Sequence, residues 1–319
     1  MSETAFSPDA LSALGPFDPV PRKSASESNP YLQVVWDSTS LGTFKECPYK
    51  HFLAQVCGYT PAARKPALEF GIAYHAALEL WDKLLADGAD KTEAMFQVIQ
   101  CAGWQGTKLP SGDTARTLET LVRSVIWYLD QFHNDSAKTV ILASGKPAVE
   151  LSFLFEFAHI DTEDFYLSGH IDRLVEFQGR PWFMDRKTTK SSLDDRYFAQ
   201  YSPDNQMDFY TAASQIVWEV PCAGGIIDAA QLSPNFTRFK RQEIHRTPEQ
   251  IDEWLEDTHE WLAQAKRCAD NQHWPKNEKS CSAWGGCPFR KVCAHSPSVR
   301  PTFLAADFAR RGWDPAVAR

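Results

Sequence analysis

No apolar run in this chain approaches the ~20 residues that a membrane-crossing helix requires, which excludes a helical membrane protein. No secretory signal is visible either, and without one the eight cysteines do not read as a disulfide framework. No internal repeat or low-complexity tract is evident. Positive charge is in short supply: 33 Lys and Arg stand against 41 Asp and Glu, a net charge of −8. Phosphate contacts need Lys and Arg to displace counterions, so any nucleic-acid surface must be a local concentration of cations. Apolar residues make up 43 % of the 319 positions and aromatics 13 %, enough to bury a substantial core.

Residues 1–30 are rich in Ser, Pro and Ala without sustained periodicity, and are expected to form a flexible leader and not a targeting peptide. The fold is expected to begin near Leu32. Periodicity predicts helices over 40–56, 67–86, 91–100 and 114–134, the last carrying Leu118, Leu121, Val122, Val125, Ile126 and Leu129 at helical spacing. Strands are predicted over 148–157, 166–177 and 181–187, followed by a helix over 206–217, a strand near 225–232 and a helix over 248–268. Helices, three strands, helix, strand, helix is an α/β order. It divides the chain into a leader (1–30), a helical region (31–147), a core (148–270), a cysteine segment (271–296) and a C-terminal tail (297–319).

Two short runs concentrate the chemistry, Gly169-His170-Ile171-Asp172-Arg173 and Met184-Asp185-Arg186-Lys187-Thr188. The flanking runs Phe165-Tyr166-Leu167 and Trp182-Phe183-Met184 read as strands, with Gln178-Gly179-Arg180-Pro181 as the turn. A hairpin would bring Asp172 and Asp185 together. Asp185 and Lys187, two apart on a strand, project from one face. Two carboxylates can hold a hard cation, which polarises a phosphate and acidifies a bound water, while a lysine orients or deprotonates that water. By spacing alone, solvated charges on an exposed hairpin fit equally well.

Basic residues gather around the same hairpin as Arg186, Lys187, Lys190 and Arg196, again as Arg238, Lys240 and Arg241, and as Arg290-Lys291. Phe236, Phe239 and Phe289 interleave with the last two groups and could stack on unpaired bases, although Phe236 to Arg241 is read equally as a solvated strand edge. Cys281, Cys287 and Cys293 are each separated by five residues. Such thiols suit soft metal ligation or are simply reduced cysteines. Cys57, Cys101, Cys222 and Cys268 are scattered and are expected to be structural.

G-x-I-D-R at Gly169 to Arg173, D-x-K-T at Asp185 to Thr188, and Q-x3-Y at Gln206 to Tyr210 together resemble the RecB-like branch of the PD-(D/E)XK nuclease superfamily, which includes CRISPR-associated exonucleases and the AddB nuclease domain. Gly71-Ile72-Ala73-Tyr74-His75 resembles that family's helical histidine motif, and Ser40-Leu41-x2-Phe44-x2-Cys47-Pro48-Tyr49-Lys50 extends the resemblance upstream. It implies that His75, Asp172 and Asp185 are side-chain metal ligands and the Arg186 carbonyl a further one, with Glu150 a candidate beside the metal. Lys187 would be the catalytic lysine. Gln206 and Tyr210, one turn apart on a helix, would lie beside it and the DNA backbone. Unaided, His75 reads as a core histidine and Tyr210 as helix packing.

The resemblance also implies that Cys47 joins Cys281, Cys287 and Cys293 around a 4Fe-4S cluster, with zinc the alternative. Many relatives space the first two C-terminal cysteines as C-x2-C; here five residues including Gly285-Gly286 intervene, which the glycines would let fold back. The fold implied is a restriction-endonuclease-like mixed sheet with an α-helical insertion and a C-terminal iron–sulfur staple. The activity implied is Mg²⁺- or Mn²⁺-dependent cleavage of DNA, as an exonuclease on single strands or ends. The partners would be DNA and recombination or CRISPR-adaptation proteins, in the cytoplasm of a bacterial or phage-infected cell. The reading from another class is a non-catalytic DNA-binding or partner subunit, against which the intact Asp172, Asp185 and Lys187 weigh.

Overall fold

The computed structural model describes residues 14–63, 65–311 and 314–317. In chain order it contains β1 (Val35–Trp36), α1 (Ser38–Glu46), α2 (Pro48–His51) running into a π-turn (Phe52–Val56), β2 (Tyr59–Pro61), α3 (Pro66–Ala86), α4 (Lys91–Gly106), α5 (Leu118–Gln131) and β3 (Lys138–Thr139). Then follow β4 (Val149–Ile160), β5 (Glu163–Phe177), β6 (Arg180–Thr189), α6 (Asp195–Ala199), α7 (Asn205–Trp218), β7 (Gly224–Leu232), β8 (Thr237–His245) and α8 (Pro248–Asp270). A 3-10 turn (Glu278–Gly285), α9 (Arg290–Ala294), α10 (Arg300–Asp307) and β9 (Phe308–Arg310) complete it. No helix among the described residues is long and apolar enough to cross a membrane.

These elements form two compact units. One comprises Met1–Ala63, Ser152–Gly169 and Asp252–Arg319; the other comprises Arg64–Leu151 and His170–Ile251. The linear segment 31–147 therefore divides after Ala63, and 148–270 is shared between units because β4, β5 and α8 each contribute residues to both.

In the second unit the sheet is mixed. β5 pairs antiparallel with β6, β6 parallel with β7, and β7 antiparallel with β8. A parallel pair needs a crossover, which α6 and α7 supply between β6 and β7. Gly225 on β7 lies against the Phe183 ring, where any Cβ would approach within 2.3 Å. The helices α3, α4 and α5 bury Phe70, Tyr74, Leu78, Val98, Leu121, Val125 and Leu129 together with Ala230 and Leu232 of β7. The stretch Phe236 to Arg241, read from the sequence either as a DNA-contacting patch or as a solvated strand edge, lies in the longer strand Thr237–His245 except for Phe236. Only Thr237 and Ile244 are buried and most residues between them are half-buried, so no in-and-out alternation marks the strand in sequence.

In the first unit the helix expected over 40–56 is broken. Asp37 and Ser40 form a reciprocal capping box that starts α1. At Cys47 the backbone turns extended, and Pro48, which has no N–H to continue the ladder, opens α2. Val35 and Trp36 of β1 pair in parallel with Tyr166 and Leu167 of β5. Residues 14–30 differ from the leader expected there. Val20, Ser24 and Ser26 are buried, and the Lys23 and Ser24 amides donate to the Asp314 carboxylate at 2.7 and 3.1 Å. The remainder of that leader, 1–13, lies outside the described residues. The C-terminal segment is likewise built in, since β9 pairs with β2 through Tyr59↔Arg310 to Pro61↔Phe308.

Candidate active site

The β5–β6 hairpin sets the register of the site. Gln178 and Gly179 both hold positive φ, 53° and 73°, a two-residue turn whose twist matches the flanking strands. The turn is shorter than expected, because Arg180 and Pro181 already pair with Phe177 and Glu176. Arg173 then stands opposite Met184, and beyond that pair the Arg186 amide donates to Asp172 Oδ2 at 3.0 Å. Asp172 and Asp185 are thus brought together, as the hairpin predicts.

His75 enters from α3. Its Nε2 donates to the Arg186 carbonyl at 2.9 Å, and its Nδ1 lies 3.3 Å from Asp172 Oδ2, so both ring nitrogens face acceptors and the imidazolium is the favoured form. Burial opposes that charge, but Asp172 outweighs it and raises the histidine above its ordinary range. Burial likewise works against the Asp172 carboxylate, yet His75 and the Arg186 amide hold it well below the usual range.

Lys187 Nζ stands 2.5 Å from Asp185 Oδ2 and donates to Gln206 Oε1 at 2.9 Å. Gln206 Nε2 completes the triangle by donating to Asp185 Oδ1 at 3.3 Å. Burial, with Asp172 nearby, raises Asp185 in spite of the lysine; burial opposes the ammonium, but Asp185 raises Lys187 all the same. The proton of this pair resides on Lys187. Gln206 is held at the first turn of α7, where Asp204 accepts from the Gln206 and Met207 amides. Tyr210, one turn on, packs edge-on against Phe183 at 5.6 Å and hydrogen-bonds Gln206.

Glu150 faces the same group of charges from β4. It adopts φ 50°, sparse territory for a residue with a side chain, and burial followed by the Asp172 and Glu79 carboxylates pushes its carboxyl up to about 7. Glu79 was not singled out from the sequence, although its position one turn after His75 on α3 was the available signal. Tyr197 and Tyr201 were also missed. Their hydroxyls meet at 3.2 Å near Lys187 and Asp185, and no motif marks them.

The donor set of imidazole, two carboxylates and a backbone carbonyl suits a hard divalent cation. Asp185 Oδ2 is buried and faces the Lys187 ammonium at 2.5 Å, a cation standing where a carboxylate of this kind could also meet a divalent ion. Among the described residues no three His, Cys, Asp or Glu side chains already stand in metal-binding geometry. Instead His75 turns to Asp172 and Lys187 to Asp185, each charge taking the nearest opposite one.

In the first unit Cys47, Cys281, Cys287 and Cys293 all line one cavity of about 360 Å³, together with Lys50, Lys276 and Arg290. The insertion between the first two C-terminal cysteines folds back: Gly285 and Gly286 take φ 85° and 96°, and the Cys287 amide donates to the Cys281 carbonyl at 3.0 Å. The Asn277 amide donates to Cys47 Sγ at 3.4 Å. Cys57, Cys101, Cys222 and Cys268 lie elsewhere; burial pushes the Cys57 thiol up to about 12 and that of Cys222 up to about 11.

Several residues expected to contact DNA are internal. Arg186 is buried against Asp82 at 2.6 Å, and Arg241 reaches Asp135 at 2.7 Å and Asp228 at 3.2 Å. Phe289 stacks on Phe308 at 4.8 Å, and Phe239 packs edge-on to Tyr128 at 5.4 Å. Packing took these side chains because the sheet and the C-terminal segment required partners. Lys190, Arg238 and Lys240 remain at the surface, Lys190 beside Asp113 at 3.2 Å and Arg238 over the Phe236 ring at 4.6 Å.

No curated protein matches this sequence. Among solved structures, a candidate exonuclease from Eubacterium rectale is similar at 14 % identity over 80 % of this chain and 88 % of its own, with TM-score 0.45. The protein SSO0001 is similar at 12 % identity over 71 % of this chain and 94 % of its own, with TM-score 0.28. Likenesses at that level neither extend nor narrow the assignment, which comes from the family model of the PD-(D/E)XK nuclease superfamily. That model matches residues 38–294, spanning Cys47, His75, the Asp172–Asp185–Lys187 hairpin, Gln206 and the last cysteine of the cavity. The chain belongs to the PD-(D/E)XK nuclease superfamily.

Proposed function

We propose that this chain is a Mg²⁺- or Mn²⁺-dependent deoxyribonuclease of the RecB-like branch, acting as an exonuclease on single-stranded DNA or DNA ends. The observation that carries the reading is Lys187 held between Asp185 and Gln206 beside the Asp172–His75 pair. A divalent ion held by His75, Asp172, Asp185 and the Arg186 carbonyl would polarise the scissile phosphate and acidify a water. Lys187, kept protonated, orients the attacking water and offsets charge growing on the phosphorane. Gln206 holds Lys187 in that direction. Glu150, with its raised proton affinity, stands beside the metal ligands as a further acidic group.

The four thiols support a 4Fe-4S cluster as a structural staple, and the Lys50, Lys276 and Arg290 side chains on the cavity wall suit the negative charge of a tetrathiolate centre. Four thiolates suit zinc equally, and metal analysis of anaerobically prepared protein separates the two: about four irons per chain for the cluster, about one zinc for the alternative. The setting we assign is recombination, repair, phage DNA metabolism or CRISPR adaptation in the cytoplasm of a bacterial or phage-infected cell. Digestion of end-labelled and circular single-stranded DNA with Mg²⁺ or Mn²⁺ tests the activity. Metal-dependent loss of the linear strand alone is expected; no cleavage of either overturns the reading.

A further inference from the structure

Arg186 lies between the two functional residues of β6, but its side chain points to the opposite face of the sheet. There its guanidinium donates to Asp82 Oδ2 at 2.6 Å, with both side chains almost wholly buried. Asp82 belongs to α3, seven residues after His75, and therefore on the same side of the helix two turns along. His75 itself donates to the carbonyl oxygen of Arg186 at 2.9 Å. One helix thus grips one strand residue twice, once by its main chain and once by its side chain.

We propose that Asp82 is a positioning residue: by anchoring the Arg186 side chain it fixes the Arg186 peptide, and with it the directions in which the Arg186 carbonyl and Asp185 meet a divalent cation. The inference rests on the nuclease reading above.

The surroundings favour orientation over simple stabilisation. Arg186 pairs with Asp228 across β6–β7, and Asp228 with Arg241 across β7–β8, a row of alternating charge over three strands. Asp82 joins that row to α3, and also receives Arg173 at 3.4 Å. A buried ion pair adds little stability over an apolar replacement of similar volume, whereas the planar guanidinium fork fixes geometry. The peptide it fixes is held from both other directions, its N–H on Asp172 at 3.0 Å and its carbonyl on His75. A shift of about 1 Å in such a group costs on the order of a hundredfold in rate.

Calorimetric titration with Mn²⁺ of the full chain, of Asp82→Asn and of the double variant Asp82→Met/Arg186→Met tests this, with thermal melts alongside. Mn²⁺ affinity is expected to fall about tenfold in both variants, with kcat lowered and the KM for DNA unchanged at saturating Mn²⁺. Lower melting temperatures with unchanged Mn²⁺ affinity would mean a merely structural pair and overturn the inference. If Asp82→Asn does not fold, the double variant, which leaves no lone buried charge, decides by itself. A wild-type chain that binds Mn²⁺ but cleaves no DNA defeats the nuclease reading and leaves the Mn²⁺ comparison to judge Asp82; one that binds no Mn²⁺ defeats both.

Discussion

The Gln206 side chain bridges Lys187 and Asp185, accepting from the ammonium with Oε1 at 2.9 Å and donating to the carboxylate with Nε2 at 3.3 Å. An amide is suited to this because one end accepts and the other donates, so a single residue orients a cation and an anion at once. Gln206→Glu keeps the acceptor for Lys187 and loses the donor to Asp185; Gln206→Ala loses both. Hydrogen bonds to charged groups contribute roughly 1.5–3 kcal/mol, so Gln206→Ala should lower kcat about tenfold to a hundredfold. Gln206→Glu should fall less. Equal, undiminished kcat in both variants would remove Gln206 from the site.

Lys187→Ala and Asp185→Ala should each abolish DNA cleavage, by roughly a hundredfold or more, with circular dichroism unchanged. On the proposed mechanism the first would remove the water-orienting charge and the second a metal ligand. Wild-type rates in either variant would sink the catalytic assignment.

His75→Ala and Asp172→Asn should weaken divalent binding, and excess Mn²⁺, which accepts imidazole and mixed donors more readily than Mg²⁺, should partly restore both. Lys187→Ala should not respond to added metal. Activity against Mn²⁺ concentration distinguishes the three, and a common response in all of them would contradict the division of roles.

Cys47, Cys281, Cys287 and Cys293 line one cavity, so Ser at any one should lower metal content and melting temperature together, because a thiolate-held metal couples to folding. Cys57→Ser should leave metal content alone. Iron and zinc analysis beside thermal melts checks this, and metal content that follows none of the four cysteines contradicts a shared site.

His51 provides a pH prediction in the first unit. Its ring stacks on Trp36 at 4.8 Å, its Nε2 meets Gln33 Oε1 at 3.1 Å, and Nδ1 is buried without a partner. Burial first, and Arg22 second, lower its pKa to about 3. The unfolded chain takes up this proton near the ordinary histidine pKa of ~6.5, whereas the folded chain resists it, so the stability is fully present above ~6.5 and is lost as pH falls towards 3. The slope is at most about 1.4 kcal/mol per pH unit. Urea midpoints measured from pH 7 to pH 4 should fall more steeply for the wild type than for His51→Phe. Parallel profiles would show that His51 does not titrate in this way.

The sequence by itself determined the elements whose signals are local. The two-residue separation of Asp185 and Lys187, the turn at Gly179 and the helical spacing of His75, Gln206 and Tyr210 all depend on backbone period, which a short window of chain contains. The spacing of Cys281, Cys287 and Cys293 is also local, whereas it was the family resemblance that associated Cys47 with them. What only the tertiary structure decided is where each charge goes. Arg186 and Arg241 look in sequence like Lys187 and Lys190, yet Arg186 is buried against Asp82 and the half-buried Arg241 is paired with Asp135 and Asp228, residues 13 to 106 positions away. Tyr197, Tyr201, Glu79 and Asp82 stand near the site or behind it for the same reason. Burial and pairing are properties of contacts between distant segments, and no local pattern encodes which partner a charged side chain will meet when the sheet closes on its helices.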